Sequence, residues 1–209
     1  MRTGVIVAGG RSTRFGDADK AVADLAGTPM VRRVADRIAP VVDELVVNCR
    51  ADQVDAIDAA LEGYPHPVRF AEDDEPDQGP LAGLRRGLAA ADGTYAFVVA
   101  CDMPFVDPEL AAHLFSRAAG HDAAVPRLAD GYFQPVQAVY RAEPAAAAAA
   151  AALERGEGKA IAPLSDLDAV VVEAADLAAF ADDSFENLNT RAEVSAAAER
   201  LGADAHDRS

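Results

Sequence analysis

Apolar residues follow two alternating rhythms along this chain. Short apolar-rich runs occur at 5–8, 44–49, 68–71 and 95–101. Runs of that length, flanked by glycine, proline or charged residues, read as strands buried on both faces. Between them, apolar residues recur every third or fourth position, as in Met30, Val31, Val34, Ile38 and Val41, or Val54, Ile57 and Leu61. That spacing is the stripe of an amphipathic helix, and it predicts helices over 29–42, 51–61 and 80–91. Pro29 and Pro80 suit a first helical turn, which needs no N–H, and Thr28 is a candidate cap for the first helix. Strand and helix alternate in this way over the first hundred residues. Alternation of this kind builds an α/β domain whose mostly parallel sheet is covered on both faces. Ligands of such sheets bind beyond the carboxyl ends of the strands, which directs attention to the loops after Ala8, Asn48, Ala71 and Cys101.

Past Pro108 the rhythm changes. Helices are expected over 108–119, 143–153 and 191–201, and strands over 123–126, 133–140 and 169–173, with 133–140 a candidate antiparallel strand. The alanine run 145–152 reads as helix, because alanine has the highest helix propensity and Pro144 fits a first turn. No linker rich in Gly, Ser or Pro divides the chain, so one domain is expected over 1–201, followed by a flexible tail at 202–209.

Composition narrows the function classes. The 209 residues include 35 acidic and 19 basic side chains, a formal net charge of −16, with a hydrophobic fraction of 51%. That apolar content is enough for a packed core, so the charge does not signal disorder. An acidic surface repels an extended phosphate backbone, which argues against nucleic acid as a partner. Lys20 and Lys159 are the only lysines; the remaining basic residues are arginines. Scarce lysine and surplus surface acid are favoured by a high-salt cytoplasm, where salt screens the self-repulsion; the alternative reading is an alanine-rich protein encoded by GC-rich DNA. Cys49 and Cys101 are too few for a disulfide framework or a structural zinc site, and both read as reduced core residues. No targeting segment or membrane span is legible, so the expected location is the cytoplasm, away from the membrane.

Four segments carry candidate chemistry. The first, Ala8-Gly9-Gly10-Arg11-Ser12-Thr13-Arg14-Phe15-Gly16-Asp17-Ala18-Asp19-Lys20, follows a strand and combines three glycines with two arginines and one of the two lysines. Glycine lets backbone N–H groups approach an anion, and the cations neutralise phosphate charge. The segment is neither a Walker A loop nor a dinucleotide fingerprint, since Gly-Lys-Ser/Thr and Gly-x-Gly-x-x-Gly are both missing. In the second, Asp102 ends an apolar strand in Cys101-Asp102-Met103-Pro104-Phe105. It can serve as a hard oxygen ligand for Mg²⁺ or as a turn residue. The third, Gly79-Pro80-Leu81-Ala82-Gly83, opens a helix whose positive end could meet an anion. In the fourth, Asn187-Leu188-Asn189-Thr190, the asparagines share one face if the segment is extended, and could instead cap the last helix.

Together these segments resemble the molybdenum cofactor guanylyltransferase family of MobA-type nucleotidyltransferases, from Thr3 to about Leu201. The segment Gln134-Pro135-Val136-Gln137-Ala138-Val139-Tyr140 is similar to the family's pterin-side stretch. The resemblance implies a single Rossmann-like three-layer α/β/α domain and transfer of GMP from GTP to Mo-molybdopterin, with release of pyrophosphate. By matching position, Val7, Ala8, Gly9, Gly10, Asn48 and Gly79 would frame the nucleotide, with Asp73 or, in the alternative register, Glu72. Arg14 and Lys20 would bind phosphates, Asp102 would hold Mg²⁺, and Gln137, Asn187 and Asn189 would line the pterin side. It also implies transient contact with molybdenum-insertion proteins or molybdoenzyme chaperones. Three positions depart from the family pattern: Val7 where leucine is usual, an acid before Lys20 where a second glycine is common, and Arg191 where proline is usual. Related activities share the first loop and the aspartate, among them adenosylcobinamide-phosphate guanylyltransferase, molybdopterin cytidylyltransferase and sugar-phosphate nucleotidylyltransferases. A nucleotide-binding regulator without catalysis is disfavoured by the presence of Arg14, Lys20 and Asp102 together.

Overall fold

Strand β1 (Arg2–Val7) runs through the middle of a seven-stranded sheet. The computed structural model describes residues 1–10, 19–73 and 79–207. After β1, a short antiparallel ribbon, β2 (Asp24–Leu25) and β3 (Thr28–Pro29), leads into α1 (Met30–Ile38). There follow β4 (Glu44–Cys49), α2 (Val54–Ala60), β5 (Val68–Glu72), α3 (Pro80–Ala89), β6 (Tyr95–Ala100) and α4 (Pro108–Ala118). The second half contains β7 (Ala123–Arg127), β8 (Gln137–Arg141), α5 (Ala142–Glu154), β9 (Ala169–Glu173), α6 (Ala174–Leu177) and α7 (Arg191–Asp207).

The sheet order is β5-β4-β1-β6-β8-β7-β9. Within it β8 runs antiparallel to both neighbours, while β1, β4, β5 and β6 are mutually parallel and β7 is parallel to β9. Alternate side chains of the parallel strands enter two separate cores, as the two-residue period of a strand requires. Ile6, Val47 and Val99 pack with Val34 and Ile38 of α1, Ile57 of α2 and Leu114 of α4. Val5, Val46 and Val98 pack with Leu84 and Leu88 of α3 and with Ala145 and Ala149 of α5. The architecture is therefore the expected three-layer α/β/α sandwich. Among the described residues, no helix is long and apolar enough to cross a membrane.

The differences from the pattern reading have local causes. The helix expected over 29–42 ends at Ile38 and tightens into a 3₁₀ turn, Ala39–Val41, containing Pro40. Proline has no N–H to continue the α-helical ladder. Thr28 belongs to the β2–β3 ribbon, and α1 has no side-chain cap. The second helix begins with a 3₁₀ turn at Ala51–Gln53. The strand expected over 133–140 pairs continuously only from Gln137, although Phe133 makes an isolated bridge to Arg127. The last helix continues past Leu201 to Asp207.

The chain leaves β1 for β4 and β5 on one side, then crosses to β6 on the other. The carboxyl end of β1 is thus a topological switch point, where an open crevice forms because successive connections diverge.

Candidate functional site

A cavity of about 460 Å³ occupies that crevice. Val7, Ala8, Gly9 and Gly10 line it at the end of β1, Asn48 at the end of β4, Asp73 just after β5, and Gly79 at the head of α3. Cys101 and Asp102 close it beyond β6, joined by Lys20, Val136 and Asn187. Every expected nucleotide-side residue among those described lies in this wall. Arg14 and Gly16 fall outside the described residues, as does 74–78 of the acidic loop.

Lys20 is the electrostatic centre. The residue is only 7% exposed. Nζ donates to Asp102 Oδ2 at 2.5 Å and to Asn189 Oδ1 at 3.0 Å. An ammonium carries three N–H groups, so among the described residues one donor has no partner. Asp102 Oδ1 is buried without a hydrogen-bond partner among the described residues. A buried carboxylate oxygen left unpaired is costly, which marks this atom as one that expects a ligand. Leu188 N donates to Asp102 O at 2.9 Å, tying the asparagine segment to the end of β6. Asn189 divides its roles: its side chain meets Lys20, while its backbone N–H donates to Glu193 Oε2 at 2.6 Å. Thr190 N also donates to Glu193, and Thr190 Oγ1 accepts from Glu193 N, which makes Thr190 the cap of α7. The two backbone N–H groups hold the Glu193 carboxyl below its ordinary range. Capping by Thr190 therefore coexists with Asn187 in the cavity wall, while Asn189 lies outside the wall with its side chain on Lys20.

The opposite wall is fixed by Asn48, which is fully buried. Its Nδ2 donates to Asp73 Oδ1 at 2.7 Å and to Ala71 O at 3.0 Å. The structure places Asp73 in the wall, whereas Glu72 points outward at the end of β5. Two glycines make room for this pair: a Cβ on Gly9 would lie 2.1 Å from Asp73 Oδ2, and one on Gly83 would lie 2.4 Å from Asn48 Oδ1. Gly79 precedes α3 with φ of +83°, a conformation that favours glycine, and brings the positive end of that helix to the cavity.

Gln137 takes a different place from the one expected. It is fully buried and donates from Nε2 to Ser184 Oγ at 2.9 Å. Its neighbour Val136, in the turn that precedes β8, lines the cavity instead. Cys101 also lines the cavity, and burial together with the adjacent Asp102 charge pushes its thiol pKa up. Cys49 is pushed up to about 12 by burial and by the Asp73 and Glu72 carboxylates. Both thiols therefore stay protonated at neutral pH and offer no thiolate nucleophile. Sequence reading passes over Gln53, a buried amide whose Nε2 reaches both Ala8 O and Asp19 Oδ2. Nothing in the local pattern distinguishes it from a solvated helix residue.

Comparison with known proteins agrees with the geometry. The family described as "MobA-like NTP transferase domain" matches residues 4–170. A protein of Natronomonas pharaonis named "Probable molybdenum cofactor guanylyltransferase" is 53% identical over 96% of this chain and 98% of its own length. One of the same name from Haloferax mediterranei is 40% identical over 90% of this chain and 89% of its own. Both organisms are halophilic archaea, in line with the high-salt composition. Among solved structures, molybdopterin-guanine dinucleotide biosynthesis protein A from Archaeoglobus fulgidus superimposes with a TM-score of 0.77. It is 28% identical, and the match covers 97% of this chain and 99% of that one.

Proposed function

Because the chain belongs to the family of MobA-like NTP transferase domains, we propose that it transfers GMP from GTP to the terminal phosphate of Mo-molybdopterin, releasing pyrophosphate. The observation that carries this reading is the buried Lys20 ammonium, which lines the cavity beside Asp102 and is hydrogen-bonded to both Asp102 and Asn189. The product joins two phosphates, whose combined negative charge needs a cation to neutralise it.

The residues fit a Mg²⁺ ion. Asp102 offers a hard oxygen, Oδ1, that is buried and unpartnered among the described residues. Mg²⁺ commonly takes one or two carboxylates and fills its remaining positions with phosphate oxygens and water. When bound, Mg²⁺ supplies charge stabilisation to the phosphates during transfer. The chain's own groups do the rest. Gly9 and Gly10 leave backbone open to the phosphates, and the third N–H of Lys20, unpartnered among the described residues, would meet the charge that develops on the pyrophosphate. Arg14 joins Lys20 in this role by its place in the family motif. Asn48 and Asp73 hold the nucleoside end, and Asn187 and Asn189 orient the pterin phosphate. That phosphate is largely ionised at neutral pH, its second pKa being about 6, so the attack on the α-phosphorus needs no general base. The cavity wall contains no histidine among the described residues, which suits a reaction of that kind. GTP and the pterin are substrates of the cytoplasm, where the enzyme would meet the proteins that insert molybdenum or receive the product.

The deciding experiment incubates the purified chain with Mo-molybdopterin and Mg²⁺ at high KCl, offers each nucleoside triphosphate in turn, and measures pyrophosphate. Release with GTP is expected. Release with CTP alone would overturn the guanylyl assignment, and release with none would overturn nucleotidyl transfer.

A further inference from the structure

Gln53 lies outside the cavity wall, in the turn after β4, and is 1% exposed. Every polar atom of its amide is engaged. Nε2 donates to Ala8 O at 3.2 Å and to Asp19 Oδ2 at 2.7 Å, and Oε1 accepts from Arg50 N at 2.9 Å. Each partner leads directly to the site. Ala8 opens the Ala8-Gly9-Gly10 backbone of the cavity wall and is itself held by Asn48 O through its own N–H, at 2.8 Å. Asp19 immediately precedes Lys20, and its second oxygen accepts from Ala21 N at 3.0 Å. Arg50 reinforces the join from the same turn, with Nη2 3.9 Å from Asp19 Oδ2 and Nε on Asp52.

One buried amide therefore couples two stretches of backbone that are distant in sequence and adjacent in the site. We propose that Gln53 is a positioning residue for the triphosphate: its carboxamide fixes the distance between the Gly9–Gly10 backbone and the root of Lys20. Both phosphate-binding elements are then in place before GTP arrives. The inference rests on the nucleotidyl-transfer reading above. The chemistry of the contact selects glutamine. Its partners are a carbonyl, a carboxylate and the Arg50 N–H, so the group among them must present two N–H bonds and one acceptor, as a carboxamide does. Glutamate would set an acceptor against two acceptors, and leucine would leave both Ala8 O and Asp19 Oδ2 unsatisfied. Lys20 is consequently held at both ends, by Asp102 and Asn189 at Nζ and by the Gln53–Asp19 contact at its backbone. Pre-organisation of this kind is what makes a group remote from the reacting atoms matter to binding and rate.

The test compares wild type with Gln53→Leu, Gln53→Glu and Gln53→Glu combined with Asp19→Asn. Affinities for GTP and for guanosine, which lacks the phosphates, are measured by calorimetry. Loss of a hydrogen bond that orients a metal ligand costs about 10–100-fold in affinity or activity, and a loss of the same order is expected where a phosphate-binding element loses its support. Gln53→Leu is expected to weaken GTP by that factor and guanosine by less than about threefold, since one contact to the phosphates is displaced and none to the base. Equal loss for both ligands would overturn the positioning role and leave only a structural one. If Gln53→Leu does not fold, the other two variants decide. In the double variant the carboxamide introduced at position 19 can donate to the new carboxylate at position 53. GTP affinity should then recover part of what Gln53→Glu loses; equal affinity in the two would overturn the proposal. Wild type that binds no guanine nucleotide would instead overturn the functional reading. In that case amide exchange at Gly9, Gly10 and Lys20 of the free protein separates the two questions: faster exchange in Gln53→Leu supports the clasp, and unchanged exchange overturns it.

Discussion

Gly83→Ala sets two known effects against each other. In a helix interior this substitution ordinarily stabilises by about 1 kcal/mol, because alanine loses less backbone freedom on folding. Here the added Cβ would lie 2.4 Å from Asn48 Oδ1, 3.0 Å from Val7 Cγ1 and 3.2 Å from Asn48 Cγ. Asn48 cannot swing aside cheaply, since it is fully buried and its Nδ2 is committed to Asp73 and Ala71 O. Overpacking of this kind costs about 1–3 kcal/mol, and freeing the Asn48 amide in a buried wall costs about 1–3 kcal/mol more. After subtracting the propensity gain of about 1 kcal/mol, the net destabilisation is about 1–5 kcal/mol. For a domain of this size each kcal/mol moves Tm by about 2–4 °C, so a drop of several degrees or more is expected. Displacing Asn48 also moves Asp73, so GTP affinity should fall together with Tm. Thermal melts and calorimetric titration with GTP check both effects. Combining Gly83→Ala with Asn48→Ala removes the clashing oxygen, so the stability losses should be less than additive. A Gly83→Ala protein that melts at or above the wild-type temperature and binds GTP normally would refute the reasoning.

Asp102→Asn keeps an acceptor for Lys20 and removes the carboxylate charge; the variant should fold while transfer falls by about a thousandfold, and Mg²⁺-dependent turnover near the wild-type rate would exclude Asp102 as the metal ligand. A pH series addresses Glu44, a buried carboxyl at the opposite end of the sheet. Burial opposes its charge, but hydrogen bonds from Thr3, the Asp92 N–H and Arg69 outweigh burial and hold its pKa below the ordinary value. A depressed pKa in the folded state contributes stability above the unfolded value, about 4.3 for glutamate, and that contribution is lost as pH falls through the folded value. Urea midpoints of wild type and Glu44→Gln should therefore differ at pH 6 and converge towards pH 3; a constant gap would show that Glu44 does not stabilise through its charge.

Much of the α/β frame is legible in the sequence because buried parallel strands and amphipathic helices leave opposite periodicities. The runs at 44–49 and 95–101 match β4 and β6 to within a residue. The reading fails where the signal is non-local. The β2–β3 ribbon has two residues per strand, too short to carry any period, and α6 has four residues. Site residues with special chemistry, such as Lys20 and Asp102, stand out by type and by position at a strand end. The motif around Gln137 draws it to the cavity, but the pleat turns it towards Ser184, and a motif alone cannot say which face a residue takes. Gln53 is invisible for the converse reason. Its importance lies in what it touches, Ala8 and Asp19, and neither contact follows from spacing along the chain.

The scarcity of lysine gains a physical meaning at Lys20. This chain uses arginine at every Lys/Arg position except two and carries a net charge of −16, a composition in line with its halophilic relatives. Arginine serves the surface well, pairing with carboxylates as Arg127 does with Glu173. The position between Asp102 and Asn189 asks for something else. Its two acceptors are 2.5 and 3.0 Å from a single nitrogen, and under the proposed function a third direction would face a phosphate. A compact ammonium can donate in three directions from one point, whereas a guanidinium fixes its donors in one plane and suits bidentate partners. Burial raises the demand further, because in a poorly hydrated pocket a cation must be matched closely by the groups around it. Of the two lysines Lys159 is exposed, and Lys20 holds the buried position where the geometry of the charge favours a compact ammonium.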